Sequence, residues 1–356
     1  MRAAYLAILL ALATVAGHLR AQFVYVVNGG GSNNVSAYRI DENGALRQIP
    51  GSPFAAENLP SSIALHPTGR FAYVVNESSN NVSAYRIERD GSLTPIPNSP
   101  FQADIDPHDI AIDPEGKFAY VVNAVANNIS AYQIAEDGAL APISGSPFPA
   151  AGFPRSLAIE PTGKFLYCAN QVDKTVSGFR IGDDGNLSPL PDSPYPAGIG
   201  PFSVTVEPRG KFAYVVNEGA GNVAAYQIKA DGALSPIQGS PFAAGSDPVD
   251  VTTNPAGKFA YVTNQVSQDV SAYRIEGDGA LSPVPGSPFE AGKESVSAIT
   301  DPTGKFLFVT SKFSHNVLAY RVAEDGSLEP VAGSPFAAGA GPNSAASIPL
   351  SNRERK

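Results

Sequence analysis

In the stretches DPHDIAID and FPRSLAIE, His108 and Arg155 each follow a proline, and they stand 47 residues apart. An imidazole can take a proton from water near neutral pH. A guanidinium can stabilise an oxyanion, or grip a carboxylate through two parallel hydrogen bonds. Side by side, the two groups would suit attack of water on an acyl centre. Residues so far apart in the chain meet in this way if the chain repeats a unit of that length, and it does.

A column of prolines recurs at Pro60, Pro107, Pro154, Pro201, Pro248 and Pro342, with Ser295 in the remaining copy. The residues that follow are Ser61, His108, Arg155, Phe202, Val249, Val296 and Asn343. A second column follows the asparagine that ends each YVVN-like run: Gly29, Glu77, Ala124, Gln171, Glu218, Gln265 and Lys312. Both columns vary where the rest of the repeat does not, so they are where function can depart from scaffold. Counting outward from the turn at Gly163 sets Gln171 opposite Arg155. Gln171 can orient a ligand but accepts no proton, which leaves His108 as the base, tuned by Glu77 on the copy before it or by Glu218 from the far side. Ser61, Phe202 and Asn343 complete the expected binding rim. His66 aligns with Asp113, Glu160, Glu207 and Asn254 and reads as a polar turn residue.

The elements that must position these residues are spelled by the repeat itself. FAYVVN occurs at Phe71–Asn76, Phe118–Asn123 and Phe212–Asn217, and the aligned ends Asn28, Asn76, Asn123, Asn170, Asn217, Asn264 and Ser311 define seven copies at a period near 47. Such a period marks a solenoid or a propeller. Each copy holds four short β-rich runs and no helical periodicity, which is a blade of four antiparallel strands. Pro-x-Gly-Lys/Arg makes the first turn and Asp-Gly the third. Proline in the fourth run, as in LTPIP, suits an outer edge. Along FAYVVN the large residues Phe71, Tyr73 and Val75 face one way and Ala72 and Val74 the other, so that neighbouring blades interdigitate. The first copy lacks a first strand, and GPNSAASIPL near the C-terminus matches LPSSIALHPT. The sequence therefore predicts an all-β, seven-bladed β-propeller whose C-terminal strand completes the first blade and closes the ring.

Composition bounds the function. A net charge of −9 opposes binding to nucleic acid or to an anionic membrane surface. The opening residues, MRAAYLAILLALATVAGHLRAQ, read as a secretory leader over 1–21, too short in its apolar run for a membrane span. The propeller is expected over 22–349, with a tail at 350–356, in an exported protein. The single cysteine, Cys168, permits no intrachain disulfide and no CxxC chemistry. HExxH, GxSxG and phosphate-loop motifs are absent. Rim carboxylates are not expected to cluster on adjacent blades, so neither a metal nor a cofactor is expected.

Seven copies of YVVN or YVTN, with NNVSAYRI and DGAL-x-PI-x-GSPF, resemble the seven-bladed lactonase family, which includes 6-phosphogluconolactonase and carboxymuconate-cyclising relatives and grades into exported YVTN-repeat propellers. The resemblance implies lactone hydrolysis at the channel mouth by His108, Arg155 and the residue at position 171, where the family carries Glu and this chain Gln. For an exported monomer, a non-phosphorylated sugar lactone or a related cyclic ester is the expected small-molecule partner. The alternative is a non-catalytic exported propeller that binds a protein, a glycan or a cell-surface partner.

Overall fold

The computed structural model describes residues 22–349. The expected leader, 1–21, and the tail, 350–356, lie outside the described residues. Among the described residues no helix is long and apolar enough to cross a membrane.

Seven antiparallel sheets form the blades of a propeller. In blade 2 the strands run Pro60–Leu65, Phe71–Asn76, Asn81–Ile87 and Leu93–Pro95 from the channel outward. Blade 1 takes its innermost strand, Pro342–Pro349, from the C-terminal end, paired antiparallel with Gln22–Asn28, so the ring closes as the sequence predicts.

Interdigitation of the second strands holds the blades together. Phe71, Tyr73 and Val75 pack with Ala119 and Val121 of blade 3, while Ala72 and Val74 pack with Phe23, Tyr25 and Val27 of blade 1. Burial of each such aromatic contributes on the order of 2 kcal/mol. The buried Tyr73 hydroxyl donates to the Gly138 carbonyl of the next blade at 2.9 Å, a bond repeated from Tyr25 to Gly91. That turn position requires glycine for two reasons. At Gly91 φ is +87°, and a Cβ would lie 2.4 Å from the Phe23 ring. The terminal asparagine is also explained: buried Asn76 donates to Asn81 Oδ1 at 2.8 Å and Ser83 Oγ at 2.9 Å, pinning the second hairpin.

The outer edge carries one element more than the four-strand expectation. After Leu93–Pro95 the chain turns through Ser99-Pro100 and adds a two-residue strand, Phe101–Gln102, against the other end of the third strand. Between the two short pairings the Ala84 N–H donates to Ser99 Oγ at 2.8 Å. The repeated serine thus satisfies a ladder donor that would otherwise be left open.

The first strands position the rim. Pro107 pairs with Asn123 and Asp109 with Val122, so His108 is an extra residue in a β-bulge. The same bulge sits at Ser61, Arg155, Phe202, Val249 and Val296, and at Asn343 in blade 1. A bulge re-aims the side chain it carries, and here it does so at every rim position.

Candidate active site at the channel mouth

A cavity of about 380 Å³ opens at the channel mouth. All seven residues of the first column line it, joined by Glu77, Glu218, Gln265 and Lys312 of the second. Its wall is divided. Asn343, Ser61, His108 and Arg155 give blades 1 to 4 a polar rim, whereas Phe202, Val249 and Val296 make the rim of blades 5 to 7 apolar.

His108 and Arg155 meet, with Arg155 Nη1 at 3.4 Å from His108 Nε2. The same nitrogen lies 3.2 Å from Asp106 Oδ2, and Nδ1 lies 3.8 Å from Glu77 Oε2. The Ser61 hydroxyl donates to the His108 carbonyl at 3.0 Å and so braces the strand that carries the imidazole. The Arg155 guanidinium lies 4.2 Å from the Phe202 ring centre and 5.8 Å from that of Phe153. These cation–π contacts hold it over the cavity without consuming its donors.

The electrostatics follow from this packing. Burial, and then the charge of Arg155, lower the His108 pKa to about 4 against the opposing pull of Asp106, so the imidazole is neutral at pH 7. Burial and Asp106 raise Glu77, while Arg155 and Lys312 oppose the rise. Burial lowers Arg155, and Glu77, Glu218 and Asp106 work against that.

Two expectations need correction. Gln171 is not opposite Arg155: the bulge shifts the pairing by one, so the Gln171 N–H bonds the Phe153 carbonyl at 3.0 Å. Gln171 is absent from the cavity lining, and its side chain donates to Glu218 Oε2 at 2.9 Å. The rim carboxylates do cluster across adjacent blades, since Glu77, Asp106 and His108 bring ligand-type atoms within 4.8 Å of one another. A cation held there would face the Arg155 guanidinium, which weakens the set as a metal centre.

Sequence reasoning missed Asp106 and a third column. Asp106 precedes the proline and has φ +64°, which folds its carboxylate back towards His108. One residue past the rim, Ser62, Asp109, Ser156, Ser203, Asp250, Ser297 and Ser344 also line the cavity. Asp109 accepts from Ser62 Oγ at 2.7 Å and the Leu157 N–H at 3.1 Å; Asp250 accepts from Ser203 Oγ at 3.0 Å and the Ala298 N–H at 2.9 Å. Burial outweighs these bonds and raises both carboxyls, Asp250 to about 6. The signal was present in the sequence as a strict Ser/Asp column at the 47-residue period. His66 is structural, as expected: it is buried, with Nε2 2.9 Å from the Gly116 carbonyl oxygen.

No curated protein matches the chain in sequence. Among solved structures, a candidate 6-phosphogluconolactonase from Bacteroides uniformis superposes with a TM-score of 0.82 at 22% identity, over 93% of this chain and 100% of that one. The periplasmic gluconolactonase PpgL of Pseudomonas aeruginosa gives 0.78 at 19%, over 93% and 99%. Hydrazine synthase of Kuenenia stuttgartiensis gives 0.61 at 20%, over 80% and 88%. At such identities the likeness establishes the propeller fold alone. The family described as Lactonase, 7-bladed beta-propeller matches residues 20–198 and 178–343. With the repeats, the closed ring of seven blades and this match together, the chain belongs to the seven-bladed β-propeller lactonase family.

Proposed function

We propose that the protein hydrolyses a non-phosphorylated lactone, a sugar lactone or a related cyclic ester, at the channel mouth. The observation that carries this reading is the neutral imidazole of His108 placed 3.4 Å from the Arg155 guanidinium in one cavity. In the tautomer whose Nε2–H is donated to Asp106, Nδ1 is left to accept a proton from water. The resulting hydroxide adds to the lactone carbonyl, and Arg155 stabilises the oxyanion. Collapse of the tetrahedral centre breaks the ring C–O bond. The imidazolium returns its proton to the departing alkoxide, giving a hydroxy acid.

Burial, and then the charge of Arg155, lower His108 in the free protein. An oxyanion forming against that guanidinium offsets the charge, so His108 becomes a stronger base as the reaction advances. Export through the leader at 1–21 separates the protein from cytosolic phosphorylated sugar lactones and favours a non-phosphorylated substrate.

A second reading, a non-catalytic exported propeller that binds a protein, glycan or cell-surface partner, is favoured by Gln171, which accepts no proton and is engaged with Glu218. Base consumption during turnover of a lactone panel separates the two. The combined His108→Ala, Arg155→Ala substitution is expected to lower turnover at least about 100-fold. Wild-type turnover in that variant overturns the lactonase reading, and no turnover by the parent protein transfers support to the binder.

A further inference from the structure

The divided wall of the cavity speaks to the shape of the substrate. A polyhydroxylated ring needs donors and acceptors on every side, because each hydroxyl buried without a partner loses its bonds to water. On blades 5 to 7 the rim presents Phe202, Val249 and Val296, none of which can supply one. Of the second-column residues on those blades, Glu218 accepts from Gln171, and Gln265 and Lys312 also line the cavity. The rim of these three blades is therefore apolar, while Ser203, Asp250 and Ser297, one residue further along each strand, keep polar groups in the cavity.

Apolar side chains also stand outside the cavity, beside its polar rim on blades 3 and 4 as well as beside its apolar rim on blades 5 to 7. Among the described residues the large hydrophobic side chains that stand exposed are Ile105, Val125, Val172, Ile199, Val266 and Phe313. Each lies two residues before a blade-start proline or two residues after a second-strand end, on the connections of the mouth face. On blades 5, 6 and 7 they are Ile199, Val266 and Phe313, 57%, 59% and 64% exposed, and each shares its blade with an apolar rim residue. Blade packing does not use these side chains, since the blade seams are filled by the buried second and third strands.

We propose that the substrate is a lactone bearing a hydrocarbon chain, with its carbonyl at His108 and Arg155 and its chain laid over Phe202, Val249 and Val296 towards Ile199, Val266 and Phe313. This rests on the lactonase reading and narrows its substrate class from polyol to alkyl-substituted lactones.

The test compares kcat/KM for γ-lactones carrying methyl to octyl substituents with that for glucono-δ-lactone, using wild type and the Val296→Ser, Phe313→Ser variant. In parallel, calorimetry follows binding of the corresponding alkyl-substituted lactams, which resist hydrolysis. In wild type, kcat/KM and lactam affinity are expected to rise about threefold per added methylene. The variant should flatten both slopes. Turnover highest on glucono-δ-lactone, or lactam affinity independent of chain length, overturns the hydrocarbon sector. Lactam affinity that climbs with chain length while no lactone is turned over upholds the sector and removes only the lactonase reading. Lactam slopes equal in wild type and variant place the chain elsewhere and overturn the assignment.

Discussion

Arg155 has two effects on His108. Adding to the larger effect of burial, it keeps the imidazole neutral, and so able to accept a proton, but it also makes the free imidazole a weaker base. An anion forming on the guanidinium resolves that conflict, so basicity is supplied when the transition state needs it. Gln171 enters this balance indirectly, through Glu218. A Gln171→Glu change would set two carboxyls at hydrogen-bond distance, and one of them would hold its proton towards neutral pH. We therefore predict little gain in lactone turnover from Gln171→Glu alone, and a larger turnover once Glu218→Gln is added; initial rates of the three proteins check this. His108, Arg155 and Glu77 were legible in the sequence because they sit in columns set by the repeat. Asp106 was not, because the left-handed backbone that turns its carboxylate towards the imidazole, shared by the equivalent residue of every blade, is not marked by any one residue type.

The first strand is the element that makes the site. Its bulge is placed identically in every blade, so the scaffold delivers seven side chains to one rim whatever their type. Plain alternation along the strand hid the consequence that two successive residues in each blade line the cavity, including Asp109 and Asp250. Asp250 carries a cost that depends on pH. Its folded pKa, about 6, lies above its ordinary value of 3.8, so the folded state retains the proton more tightly. The resulting stabilisation is complete below pH 3.8 and is lost as pH rises through 6. Asp250→Asn removes the charge and should stabilise the protein on the order of 1–3 kcal/mol at pH 8, with much less effect at pH 4. Thermal unfolding at the two pH values measures this, and an equal shift at both would contradict it. The four main strands were legible from turns and alternation. The fifth, two residues long, is too short to carry a β pattern, and its serine tether appeared in the sequence only as part of a repeated SPF.

For the whole molecule, the period of 47 sufficed for the fold, because a four-strand blade buries its faces only against neighbouring blades. The closing seam is the exceptional one. Phe308 stands where other blades have the tyrosine that bonds the next blade, whereas Tyr38 reaches the Ala337 carbonyl at 2.6 Å just as Tyr85 reaches that of Ala55 at the neighbouring seam. The strand Pro342–Pro349 completes that seam and contributes Asn343 to the rim. Ending the chain before Pro342 exposes the ladder of Gln22–Asn28 as a free edge. We predict a large drop in melting temperature or aggregation, followed by scattering during a thermal ramp; unchanged melting would contradict closure by this strand.

The central claim is that a neutral His108 beside Arg155 activates water against a lactone, and the pH dependence of kcat/KM tests it most directly. For wild type the acid limb is expected near pH 4, well below an ordinary histidine. In His108→Ala the limb should vanish and kcat/KM fall at least about 100-fold. A limb retained in His108→Ala, with turnover close to that of wild type, would contradict the account.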